Sequence, residues 1–218
     1  MYYEMMKNDA EVQALLKKGD ENLGVLGFTK HDMEHCTLVA EKAGYILDKL
    51  GFSEHEQELV KVAGIMHDIG NAVNRTHHAE LGALLANDIL RKTDMCLEDR
   101  IQIISAIGNH DGSTGGAKDI VSSALIIADK SDVRTSRVRN KDKINFDIHD
   151  QVNYSVVGSH LRVDSEERII SLNLQINEKV CSMYEYFDIF LNRMTMCRKA
   201  AEMLNARFRL LVNGIKIL

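Results

Sequence analysis

The stretch that decides the fold is residues 63–71, AGIMHDIGN. An apolar run ends in an adjacent histidine and aspartate, His67-Asp68, and Gly70 follows as a stop. Upstream, Ser53 and Glu56 form a capping box, and Leu59, Val62, Ala63 and Met66 recur at helical spacing. The pattern predicts a helix that delivers His67-Asp68 to its carboxyl end. Two adjacent polar side chains at a buried helix end need a partner. A metal ion is the natural one, because imidazole nitrogen and carboxylate oxygen both bind borderline to hard cations. The plainer reading is a surface pair at a frayed helix end, and the apolar run before it argues against that.

Working outward, helices are predicted at 8–18 (Asn8 as cap, Gly19 as stop) and at 30–50 (Thr29 as cap, Gly51 as stop). Others follow at 78–91, 97–108 and 118–134, with a flexible loop at Gly112–Gly116 that reads as a lid or as a plain connection. The texture changes after about residue 145. Residues 152–163 and 168–176 are rich in valine, isoleucine and leucine and read as a β-hairpin. A helix over 178–205 carries Met183, Phe187, Phe190, Met194, Cys197, Ala201 and Leu204 in alternating steps of four and three, which makes a single apolar seam. Asn213-Gly214 between two apolar runs signals a second hairpin. The expected fold is mainly α: a helical domain over 1–145, and a small α+β unit (ββαββ) over 146–218 packed on it.

Composition narrows the function. The chain has 218 residues, 45% hydrophobic and 27% charged, with no proline. That is enough to bury a core without disulfides. A net charge of -5 speaks against a general nucleic-acid coat. No apolar run is long enough to span a bilayer, and the amino terminus reads without a secretory leader. The four cysteines, Cys36, Cys96, Cys181 and Cys197, form no CxxC pair and fall in stretches read as helical. A disulfide framework and a thiolate zinc site are therefore not expected, and a cytoplasmic protein is.

His35 in EHCTLVA, His67-Asp68 in MHDIGN and Asp129 in LIIADKSD stand in the order and surroundings of one known pattern. Over about residues 20–140 the chain resembles the HD-domain superfamily of metal-dependent phosphohydrolases. The resemblance implies that His35, His67, Asp68 and Asp129 hold a divalent metal. Many members bind a second ion through two further histidines, which implies His78 and His110 here, with Asp68 bridging. His77 competes with His78, and the spacing to Gly82 favours His78. The mixed donor set suits iron, manganese, zinc or nickel better than magnesium alone. Of the other histidines, His31 is placed in an exposed first turn and His55 in solvent. His160 sits in a strand, and His149-Asp150 lies at the junction between the helices and the tail.

Six basic residues lie between Lys130 and Lys143, against Asp132 and Asp142. Lys130, Arg134 and Arg137 share one face if the helix continues, beside Asp129. They are the candidate substrate-binding residues, and Asp68, Lys130 and Arg134 the candidate catalytic ones. Arg139, Lys141 and Lys143 read as loop charges. A solvated basic face is the competing reading. The resemblance implies metal-dependent hydrolysis of a phosphate ester or anhydride in a nucleotide or similar small phosphorylated metabolite. No nucleic-acid polymer or membrane is expected as partner, and a homodimer is left open. Two alternatives remain: a di-iron oxygenase, as in some relatives with six such ligands, and a nucleotide sensor without turnover.

Overall fold

The computed structural model describes residues 1–112, 115–139 and 148–218, except the side chains of 148–151 and 189. Lys141, Lys143, the His149 and Asp150 side chains and the centre of the Gly112–Gly116 loop lie outside the described residues.

Helix α1 (Tyr2–Lys7) was not signalled by any motif. Helix α2 (Ala10–Val25) is capped by Asp9, not Asn8, and runs through Gly19 instead of stopping there. The reason is packing. A Cβ at Gly19 would stand 3.0 Å from Asn71 Cβ and 3.1 Å from the Ala72 nitrogen, so this glycine lets α2 lie against the turn that follows His67-Asp68. Helix α3 (Met33–Lys49) is capped by Asp32 and not by Thr29. Helix α4 (Glu54–Met66) carries the expected Ser53–Glu56 capping box and ends at His67. A 3-10 turn (Ile69–Ala72) leads toward α5 (His78–Leu90). Helix α6 (Leu97–Gly108) has the expected bounds. Helix α7 (Ile120–Lys130) ends four residues earlier than the sequence suggested.

Two glycines set the spacing around the site. A Cβ at Gly64 would stand 2.6 Å from Ala40 Cα, so α3 and α4 touch backbone to backbone. A Cβ at Gly70 would fall 2.0 Å from the His78 carbonyl oxygen. The turn after Asp68 therefore sits directly against the start of α5.

The tail begins with a helix, α8 (Ile148–Ser155), where a strand was expected from 152. Strand β1 (Val156–Asp164) pairs antiparallel with β2 (Ile169–Ile176). Helix α9 (Met183–Met203) starts at a Ser182–Glu185 capping box and crosses to β3 (Arg207–Val212), which pairs parallel with β2. Asn213 and Gly214 both have positive φ and turn the chain into β4 (Ile215–Lys216). The strands therefore form one sheet in the order β1-β2-β3-β4, and the fold is mainly α with a small carboxyl-terminal sheet. The α9 seam is buried as read: Phe190, Met194, Cys197, Ala201 and Leu204 are fully enclosed, with Met183 and Phe187 at the margin. Helix α9 packs on α7 and β3. All four cysteines are free; Cys96 caps α6 and Cys181 precedes α9, so neither is helical. Among the described residues, no helix is long and apolar enough to cross a membrane.

Candidate metal centre and cavity

The ends of α3, α4, α5, α6 and α7 bring His35, His67, Asp68, His78, His110 and Asp129 together. Asp129 is the most accessible, with a side chain 12% exposed; the other five are buried. The His35 and His67 rings lie 5.3 Å apart, His67 and His110 4.9 Å, and His78 and His110 5.1 Å. Donor atoms fall into two sets, His35 with His67 and Asp129, and Asp68 with His78 and His110. Asp68 stands between them. Its Oδ2 is 3.2 Å from His67 Nε2 and 3.7 Å from His35 Nε2, and its Oδ1 is 3.8 Å from His78 Nε2.

Each histidine is oriented from behind. Nδ1–H of His67 donates to the Gly64 carbonyl (2.8 Å), that of His110 to Ile107 (2.7 Å), and that of His78 to Arg75 (3.0 Å). His35 Nδ1–H donates to the Asp132 carboxylate (2.7 Å). With Nδ1 carrying the proton, Nε2 of a neutral ring presents a lone pair to the centre, the arrangement that metal-ligating histidines use. Asn71 donates to Asp68 Oδ1 (2.9 Å) and holds that carboxylate in turn.

The electrostatics suit a cation, and without a metal a proton takes that place: against burial, Asp68 and Cys36 hold the His67 pKa well above its ordinary value. Buried His35 Nε2, His67 Nε2 and Asp68 Oδ2 have no hydrogen-bond partner. Three such atoms facing one another are costly unless a cation satisfies them. Burial alone would raise the Asp68 pKa, but His67 and His31 outweigh it and hold the carboxyl well below the usual range. Asp129 is likewise held low against burial, by Lys130 and His35. Burial, with His67 and Lys130 adding to it, lowers His110 to about 3, and burial also lowers His78. Both rings are neutral near pH 7, as ligation requires. Cys36 also approaches His67 and Asp68, but burial raises its thiol pKa, which disfavours the thiolate. The residues present thus fit one or two divalent ions with imidazole and carboxylate donors.

His78, not His77, enters the cluster. His77 takes a left-handed backbone at the cap of α5 and its side chain is exposed. His31 lies before α3, half-buried at the edge of the cavity, and not in an exposed first turn. His55 is exposed and pairs with Asp99, and His160 is exposed on β1.

The basic face is rearranged. Because α7 stops at Lys130, Lys130, Arg134 and Arg137 do not share a helix face. Lys130 Nζ donates to Asp129 Oδ2 at 2.6 Å and lines the cavity. Arg134 turns away, donating to Asp132 (2.7 Å) and Glu34 (2.7 Å). Arg137 lines the cavity while donating to the Lys30 and Asp132 carbonyls. Arg139 is bound to Asp20 and the Phe28 carbonyl, so it is no idle loop charge.

A cavity of about 290 Å³ opens over the cluster. Its lining includes residues that sequence reasoning passed over: Arg75 before α5, and Asn153, Asn192, Arg193 and Met196 from the tail. Asp132 was also missed, although it closes the ADKSD motif. Nothing in the spacing of the tail residues announced this role; the packing of α9 on α7, with α8 beside α9, brings them there.

Comparison with known proteins gives the family. The HD domain family model matches residues 32–142, half of the chain, so the chain belongs to the HD domain family. An uncharacterized protein of Methanocaldococcus jannaschii is 27% identical over 172 residues, which cover 68% of this chain and 66% of that relative, just under two thirds of its length. A solved structure described as a predicted HD superfamily hydrolase, from an uncultured Thermotogales bacterium, aligns with a TM-score of 0.45 at 21% identity, over 57% of this chain and 67% of that one.

Proposed function

We propose that the protein is a cytoplasmic, metal-dependent phosphohydrolase acting on a phosphate ester or anhydride in a nucleotide or similar small phosphorylated metabolite. In this reading residues 1–145 form the metal-binding domain and 146–218 a unit packed on it. The observation that carries it is the convergence of His35 Nε2, His67 Nε2 and Asp68 Oδ2, buried and without a hydrogen-bond partner, beneath a cavity whose wall includes Arg75, Lys130, Arg137 and Arg193. His35, His67, Asp68 and Asp129 would hold one ion, and Asp68, His78 and His110 a second. When bound, such ions lower the pKa of water and neutralise charge gathering on phosphoryl oxygens. Lys130, paired with Asp129 at 2.6 Å, presents its ammonium at the cavity beside the cluster, where it attracts and orients a phosphate. Arg137 adds positive charge to the same wall. Arg134 acts through Asp132 on His35 and does not itself reach the cavity.

The test is elemental analysis of protein purified without chelators or oxygen, followed by turnover on a panel of phosphomonoesters, diesters and nucleotides. Between one and two transition metals per chain, with metal-dependent phosphate release, is the expected result. Protein that refuses manganese, iron, zinc and nickel overturns the reading, and turnover that requires dioxygen replaces it with an oxygenase.

A further inference from the structure

Two guanidiniums in the cavity wall differ from the other cations. Lys130 is paired with Asp129 and Arg134 with Asp132 and Glu34, while Arg137 donates to two backbone carbonyls and stands 4.0 Å from the Asp132 carboxylate. Arg75 and Arg193 form no ion pair among the described residues. Each instead lies against an aromatic ring, Arg75 at 5.3 Å from the Phe28 centroid and Arg193 at 4.6 Å from that of Phe190. Stacking fixes the plane of a guanidinium and leaves its in-plane N–H groups free for an anion. The donors of Arg75 are engaged only loosely, with Asn71 Oδ1 at 3.3 Å and His78 Nε2 at 3.4 Å, at the long end for hydrogen bonds.

Their placement is complementary. Arg75 precedes α5 on the His78 side of the cluster, and Arg193 comes from α9 in the tail. Helix α9 is held over the cluster on two sides. Its seam packs on α7, and a Cβ at Gly112 would stand 2.8 Å from Met196 Sδ, so α9 also abuts the segment just after His110. Phe190 beneath Arg193 is itself fixed, buried and stacked on Tyr186 at 5.0 Å. Burial lowers the Arg193 pKa; the charge of Asp129 opposes it, and those of Arg137 and Arg75 press it further down, so these groups feel one another across the cavity. Asp111 and Asp129 line the same cavity, but among the described residues neither forms an ion pair with Arg75 or Arg193, and guanidiniums without an ion pair in a partly desolvated site favour an added anion.

We infer that Arg75 and Arg193 bind a second phosphate group of the substrate, beyond the one that meets the metal cluster. The substrate class is then a phosphoanhydride or bisphosphate, not a simple monophosphate, and the carboxyl-terminal unit shares in selecting it through Arg193. This inference rests on the phosphohydrolase reading for its reaction, but its binding step can be measured alone.

The experiment is calorimetric titration of manganese-loaded protein with methylenediphosphonate and with methylphosphonate, two non-hydrolysable probes. Wild type is expected to prefer the diphosphonate at least about tenfold. Arg193→Gln and Arg75→Gln are each expected to reduce that ratio about tenfold, and Arg193→Lys, which keeps the charge but loses the planar fork, about threefold. Thermal unfolding shows whether each variant is folded. If Arg193→Gln is not, Arg193→Lys decides. No preference in wild type, or an unchanged ratio in the folded variants, overturns the inference. A preference that depends on Arg193, in a protein that releases phosphate from no substrate, would leave this inference standing and remove the hydrolase reading.

Discussion

His35 and Asp132, 97 positions apart in the chain, are joined by a buried hydrogen bond of 2.7 Å from Nδ1–H to Oδ2. Asp132 is in turn gripped by Arg134 through Nε and Nη2 and by Arg137 through its carbonyl. The basic segment after α7 therefore reaches the centre by way of a histidine ring. Asp132→Asn keeps the shape and removes the charge that fixes the His35 tautomer. Metal affinity is expected to fall about 10- to 100-fold, measured by competition with a chromophoric chelator. Arg134→Ala should lower it less, because Asp132 keeps its bond to His35; an effect on KM with metal content unchanged would return Arg134 to the substrate.

Asp68 faces both donor sets, so its removal should act on both. Asp68→Ala is expected to abolish metal retention and turnover while helix content, read by circular dichroism, stays at the wild-type level. Full activity in that variant would sink the metal-centre assignment.

Gly70 admits no side chain. A Cβ there would lie 2.0 Å from the His78 carbonyl oxygen and 2.5 Å from the Gly82 nitrogen, both backbone atoms. Gly70→Ala must push α5 away from the turn after Asp68, at a cost of about 3 kcal/mol or more. Urea unfolding measures the loss, and metal affinity should fall with it because His78 moves. Gly51→Ala, by contrast, meets no atom and is strained only through its positive φ, so it should destabilise by about 1 kcal/mol and leave metal affinity alone.

In chelator-treated protein, His110 titrates near 3 when folded and at its ordinary value, about 6.5, when unfolded. Between those values the unfolded chain binds a proton that the folded chain refuses. Stability is therefore lost as pH falls through that window, by about 2 kcal/mol from pH 7 to pH 5 for this one group. His110→Gln should flatten the dependence of the urea midpoint on pH. An equally steep profile in the variant would assign the acid sensitivity elsewhere.

The features read correctly from the sequence are those encoded by neighbours in the chain. The Ser53–Glu56 box, the Asn213-Gly214 turn and the α9 seam each need only a few adjacent residues, and each is found in place. His35, His67, Asp68 and Asp129 were legible as motifs, and His78 and His110 as what the family resemblance implies. Gly19 misled because a helical glycine and a stop glycine look alike until the turn at Asn71 is seen beside it. The end of α7 at Lys130 has no glycine or proline to announce it; the chain leaves the helix and Asp132 turns inward to His35. Arg75 and Arg193 escaped notice because only tertiary packing brings them to one cavity.

Helix α9 has two employments on one cylinder. Its seam is locked into the interior against α7 and the sheet, while Asn192, Arg193 and Met196 look out over the cluster. The six clustered histidines and aspartates all precede residue 130 in the chain. Arg75 and Lys130 of the outer wall stand among or beside the clustered residues in sequence, but the α9 part of that wall is written in a stretch of its own. If Arg193 meets the substrate as inferred, exchanging the cavity side of this single helix would alter selectivity while every clustered residue stays as it is.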